Sequence, residues 1–129
     1  MIVKIQREEL AEYDVSLADG STLLEVLNYI KTHLDPTLTY SSGCRSSVCG
    51  SCAVRVNEKE VLACTYKVQD KDLIEPLKNV PILRDLVVDM DKALEFNAKS
   101  KAWIERGETT PDVSKDQEKL NEVQSDCIL

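Results

Sequence analysis

The stretch SGCRSSVCGSCAVRVNEKEVLAC, Ser42 to Cys64, places Cys44, Cys49, Cys52 and Cys64 within 23 residues and fills the gaps between the first three mainly with serine and glycine. The fifth cysteine, Cys127, stands apart near the end of the chain. The N-terminus MIVKIQREE is too short and too polar for an export signal, so the thiols are expected in a reducing compartment. A disulfide framework is disfavoured there, and an odd cysteine count suits one poorly. Metal binding is the leading explanation for thiols held so close.

The flanks of this stretch define the fold around it. AVRVNEKEVLAC reads as strand, turn and strand, with Val54 and Val56 on one face and the turn at Asn57 to Lys59. Upstream, DGSTLLEVLNYIKTHLDP spaces Leu23, Leu27, Ile30 and Leu34 as a helix of about three turns. Thr22 and Glu25 form a capping box at its start, and Pro36 ends it. IVKIQRE and YDVSLA alternate apolar and polar residues, which predicts two half-buried strands in a hairpin, and DLIEPL predicts one further short strand. The order ββαββ with a late strand predicts an α+β fold, a β-grasp sheet crossed by one helix.

Past Pro81 the spacing of Leu83, Leu86, Val87, Met90 and Leu94 predicts an amphipathic helix to about Glu105, with Trp103 as an anchor near its end. Asp85, Asp89 and Asp91 then fall on its solvated face. RGETTPDVSKDQEK, rich in charge with Gly and Pro, has a linker's composition. The 129 residues suit one domain, residues 1–105, and a tail, residues 106–129.

Charge narrows the partners. A formal net charge of -7 argues against nucleic acid, which demands clustered Lys and Arg, and a basic protein surface fits better. No apolar run reaches the roughly 18 to 20 residues that span a bilayer, so direct membrane insertion is not expected and the chain should be soluble by itself.

The cysteine spacing C-x4-C-x2-C, then x11-C, is that of plant-type 2Fe-2S sites. A loop wrapped around such a cluster must aim N–H groups inward and exclude bulk, and Gly43, Ser46, Ser47, Gly50 and Ser51 meet that need. Structural zinc is the competing ligand, but zinc sites favour two facing knuckles and only Cys49 and Cys52 make one here. Arg45 reads either as a charge that raises the site's potential or as an exposed loop arginine. His33, the sole histidine, reads as a group near a helix end rather than a ligand.

GCRSSVCGSCAVRVNEKEVLAC followed by IEPLKNVPILRDLVVDM resembles the N-terminal domain of the iron-sulfur subunit of succinate dehydrogenase and fumarate reductase, over roughly residues 1 to 105. The short x11 gap before Cys64 and the RDLVVDM element are the discriminating features. The resemblance implies a 2Fe-2S cluster on Cys44, Cys49, Cys52 and Cys64, passing single electrons between the FAD of a flavoprotein subunit and clusters leading to quinone. It also implies a second, helical domain with 4Fe-4S and 3Fe-4S clusters, of which QSDCIL is the start and Cys127 the first ligand. A membrane-anchor or quinone-reactive subunit would complete the complex at the cytoplasmic face of the inner membrane. A free-standing 2Fe-2S ferredoxin shuttle is the alternative.

Overall fold

A computed structural model describes residues 1–101, 114–116 and 119. Two compact units divide at Asp89 and Met90. Trp103, Cys127 and most of the expected linker lie outside the described residues.

The first unit contains a five-stranded mixed sheet in the order β2-β1-β5-β3-β4. Its strands are β1 (Ile2–Gln6), β2 (Leu10–Asp14), β3 (Ala53–Val56), β4 (Lys59–Leu62) and β5 (Leu73–Glu75). β1 and β5 run parallel, and the other neighbouring pairs are antiparallel. The β-grasp arrangement expected from the sequence is thus present.

Alternation decides which face is buried. Val3 and Ile5 of β1, Val54 and Val56 of β3 and Ile74 of β5 join one core, while Lys4 and Arg55 point away from it. The helix α1 (Leu23–Tyr29) covers that face with Leu23, Leu24, Val26 and Leu27, and Ile30 follows just beyond its end. Each such side chain, removed from water, contributes about 1.5–3 kcal/mol. The Thr22 hydroxyl accepts from the Glu25 N–H at 3.3 Å and the Glu25 carboxylate accepts from the Thr22 N–H at 2.6 Å, completing the capping box. The helix then widens into a π-helical turn over Ile30–Leu34, closed by the Asp35 N–H on the Ile30 carbonyl at 2.7 Å. Thr32 donates its hydroxyl back to the Asn28 carbonyl, a contact that bends helices.

The helix expected from Pro81 to Glu105 is a correction. Residues Ile82–Arg84 form β6 and Val87–Val88 form β7, paired as a separate hairpin, and α2 begins only at Asp91 and ends at Ser100. The apolar spacing matched a helix, but Leu86 is buried while Leu83 is 66% exposed, so the two do not share a face. Asp85 at the turn has φ 49°, a left-handed value that interrupts a right-handed helix. Asp85 is not on a solvated face either: its side chain is only 6% exposed. The strand expected through Val15 and Leu17 ends at Asp14, though Val15 remains buried.

Candidate functional site

The cysteine loop hangs between two fixed ends. Tyr40 on the entering side reaches Asn28 of α1 with its hydroxyl, and Cys52 on the leaving side is buried immediately before β3. Between them the chain is exposed at nearly every residue.

Within that loop, N–H groups converge on sulfur. Cys44 Sγ accepts from the N–H of Ser46 at 3.4 Å, of Val48 at 3.3 Å and of Cys49 at 3.3 Å. Cys49 Sγ accepts from the Cys44 N–H at 3.3 Å and lies 3.0 Å from the Ser51 hydroxyl. The turn that aims these donors puts Arg45, Ser47 and Gly50 at positive φ, of 60°, 58° and 70°. Two of those positions are therefore not glycine, and the cost of their left-handed backbone is offset by the N–H concavity it creates.

Electrostatics follow geometry. The Ser46 N–H first, then those of Cys49 and Val48, favour the thiolate and hold Cys44 near a pKa of about 6. The Ser51 hydroxyl, then the Cys44 N–H, push Cys49 down as well. Burial pushes Cys52 up, because desolvation disfavours its charged form.

The hairpin of β3 and β4 assembles the other pair. Ala53 stands opposite Leu62, so Cys52 and Cys64 flank the open end of the ladder. The Ala63 N–H donates to the Cys52 carbonyl at 3.1 Å, which holds the chain beside Cys64 against Cys52. The turn needs two left-handed residues in succession, supplied by Asn57 at φ 48° and Glu58 at φ 71°. Loop and hairpin thus deliver the four expected cysteines as two pairs, Cys44 with Cys49 and Cys52 with Cys64.

Such a donor set fits a 2Fe-2S cluster, whose two irons share four thiolates, and suits a lone tetrahedral ion less well, since that needs all four at one point. Steric room agrees. A Cβ on Gly43 would stand 2.6 Å from Ser51 Oγ and 2.8 Å from Cys49 Sγ, so a side chain there would have to displace the serine hydroxyl and the thiol. Arg45 is exposed and makes no ion pair among the described residues. His33 is exposed too, stacked on Tyr29 at 4.6 Å between ring centroids.

Sequence reasoning passed over one group of residues. Arg7 donates through Nε to Asp85 at 2.8 Å and through Nη1 to Asp35 at 2.6 Å. Asp85 also accepts from the Thr39 N–H at 2.8 Å. Arg7 and Asp35 lie 28 residues apart, and no local pattern links them.

Comparison with known proteins agrees with the geometry. The chain is 42% identical over 102 residues to the fumarate reductase iron-sulfur subunit of Haemophilus influenzae, covering 77% of this chain and 40% of that protein. It is 34% identical over 133 residues to the mitochondrial succinate dehydrogenase [ubiquinone] iron-sulfur subunit 1 of Oryza sativa, covering 95% and 47%. The chain therefore spans about half the length of the curated relatives it matches, or less. Its structure is similar to a chain of the Mycobacterium smegmatis Sdh1 complex in the apo form, with a TM-score of 0.71 at 26% identity over 98% of this chain and 59% of the other. The sequence model for the 2Fe-2S iron-sulfur cluster binding domain matches residues 3–95, a span that contains α1, all four cysteines of the site and all of the sheet except Ile2. With that match over most of its length, the chain belongs to the family of 2Fe-2S iron-sulfur cluster binding domains.

Proposed function

We propose that this chain is the electron-transfer domain of an iron-sulfur subunit of the succinate dehydrogenase and fumarate reductase type, with Cys44, Cys49, Cys52 and Cys64 as the cluster ligands. The observation that carries the reading is the delivery of four thiols as two pairs, one on an N–H-lined loop and one at the end of a hairpin. When bound, the cluster supplies one-electron oxidation and reduction with no substrate bond made or broken. The chain's own residues do the rest. Cys44 and Cys49 offer thiolates already stabilised by hydrogen bonds, and the same N–H groups favour added negative charge, which raises the potential.

In this reading residues 1–105 form the cluster domain, supported by the family match through residue 95, and residues 106–129 lead into a second domain in which Cys127 is a 4Fe-4S ligand. The partner is a flavoprotein subunit carrying FAD, and a membrane-anchor or quinone-reactive subunit ties the assembly to the cytoplasmic face of the inner membrane. The names of the relatives, which are iron-sulfur subunits of fumarate reductase and succinate dehydrogenase, support a place in a multi-subunit complex. Among the described residues no helix is long and apolar enough to cross a membrane, consistent with attachment through another subunit.

The test is a visible and EPR spectrum of the purified chain with iron and sulfide analysis. Two irons and two sulfides per chain, with a rhombic signal appearing only on reduction by dithionite, is the expected result. Stoichiometric zinc in a colourless protein would overturn it.

A further inference from the structure

We infer that Arg7, Asp85 and Thr39 form a latch that positions the limb of chain entering the cysteine loop, and through it the Cys44–Cys49 thiol pair relative to the Cys52–Cys64 pair. The inference rests on the reading of those four cysteines as ligands.

The hairpin of β6 and β7 holds Thr39 by both ends of its peptide. Asp85 Oδ2 accepts from the Thr39 N–H at 2.8 Å, and the next residue, Leu86, donates its N–H to the Thr39 carbonyl at 3.2 Å while burying its side chain in the core. Arg7, at the end of β1, then fixes the hairpin's carboxylate. Its Nε meets Asp85 Oδ1 at 2.8 Å, its Nη1 meets Asp35 Oδ2 at 2.6 Å and its Nη2 meets Thr37 Oγ1 at 3.1 Å. One planar guanidinium thereby joins the hairpin to two points of the limb, a geometry that a lysine does not reproduce.

The rest of the limb is equally tied. Leu38 is fully buried with its carbonyl accepting from Lys31 Nζ at 2.7 Å, and the Tyr40 hydroxyl reaches Asn28. Beyond Tyr40 the character of the bonding changes. Among the described residues, the hydrogen bonds of residues 41–51 stay within the loop or reach no further than Ala53, and most of them end on Cys44 or Cys49 sulfur. Nothing inside the loop therefore fixes where its thiols stand relative to the hairpin pair. That spacing is inherited from the two ends: the leaving end is held by the pairing of β3 with β4 and β5, and the entering end by the contacts of the limb with the hairpin and Arg7.

Asp85 and Arg7 are positioning residues: they touch neither thiol, and act through the Thr39 peptide. The experiment compares the reduced EPR spectrum, the reduction midpoint and the rate of iron loss to a chelator in the parent chain, Asp85→Ala, Asp85→Asn and Arg7→Lys. Thr22→Ala, which weakens the helix cap without touching the limb, serves as the control for simple destabilisation. Asp85→Ala should lose iron about 10–100-fold faster, the range typical of groups that orient ligands, with altered g-values. Asp85→Asn keeps an acceptor for the Thr39 N–H and should recover part of the loss. Thr22→Ala should leave the g-values and midpoint at parental values.

Parental g-values, midpoint and iron-loss rate in Asp85→Ala would overturn the latch, as would equal changes in Thr22→Ala. Should Asp85→Ala fail to fold, the same criteria apply to Asp85→Asn and Arg7→Lys. Failure of the underlying reading is recognised separately, because the parent chain would then show no rhombic signal, or Cys49→Ala would keep its full iron content.

Discussion

A Cβ placed on Gly43 would stand 2.8 Å from Sγ of Cys49, closer than real contacts of this kind come. The backbone at Gly43 and the thiol of Cys49, six residues on, stand so close that a Cβ at Gly43 requires the thiol to move. Ser51 Oγ, at 2.6 Å from the same point, closes the other side. Gly43→Ala must therefore push Cys49 or Ser51 away. Cluster retention against a chelator should fall roughly tenfold, as for other changes that misplace a ligand, while far-UV circular dichroism stays parental. Retention equal to the parent would show that the loop accommodates the methyl group.

Asp72 is a buried carboxylate beside the core, 3% exposed. It accepts from Asn57 Nδ2 at 2.7 Å, from the Tyr66 hydroxyl at 3.0 Å and from the Gln69 N–H at 2.8 Å. Asn57 in turn accepts from the Leu73 N–H at 3.0 Å, so the β3–β4 turn and the start of β5 depend on one carboxylate. Asp72→Ala leaves three donors without this acceptor and should cost on the order of 3 kcal/mol. Urea unfolding should show a lower midpoint at an unchanged slope, and a midpoint within error of the parent would count against the network.

The two carboxylates around Arg7 predict an acid-sensitive contribution to stability. The Thr37 hydroxyl first, then the Tyr13 hydroxyl and the Thr37 N–H, with the charge of Arg7 adding, lower Asp35 from 3.8 to about 2. Burial would raise Asp85, but hydrogen bonds from Arg7 and Thr39 outweigh it and leave the group below its ordinary value. Both groups bind a proton more readily in the unfolded chain, so their contribution is complete above the unfolded pKa and disappears as pH falls through the folded one. The stability difference between parent and Asp35→Asn should be constant from pH 7 to about 5 and shrink between about 4 and 2. Chemical denaturation across that range measures it, and a difference that grows on acidification would reverse the sign of the argument.

Glu58 sits at φ 71° in the second left-handed position of the β3–β4 turn, where Asn-Gly is the favoured pair. The side chain is exposed, so its loss removes little packing. Glu58→Gly relieves the strained backbone but adds freedom to the unfolded chain, and the net gain should be about 0.5–1 kcal/mol. A raised thermal midpoint with unaltered cluster content is the expected outcome. A lowered midpoint would mean that unfolded-chain entropy outweighs the strain.

Sequence alone determined the parts of this protein that rest on local chemistry. The Thr22–Glu25 capping box, the alternation through Val54 and Val56, the turn at Asn57 and the glycine-serine loop carrying three of the thiols are each contained in a short run, so period and spacing expose them. The spacing of Cys44, Cys49, Cys52 and Cys64 likewise pointed to the cluster that the family match supports. Tertiary structure decided what depends on distant partners. Leu83, Leu86, Val87 and Met90 carry a helical period, yet Asp85 meets Arg7 and Thr39, which lie 78 and 46 residues away, and Leu86 meets the core. Those contacts favour a hairpin over the helix that the same residues would form on local preference. Periodicity records which residues are apolar, not which remote groups they will meet, and only the folded chain brings Arg7, Thr39 and Asp85 together at the entrance to the cysteine loop.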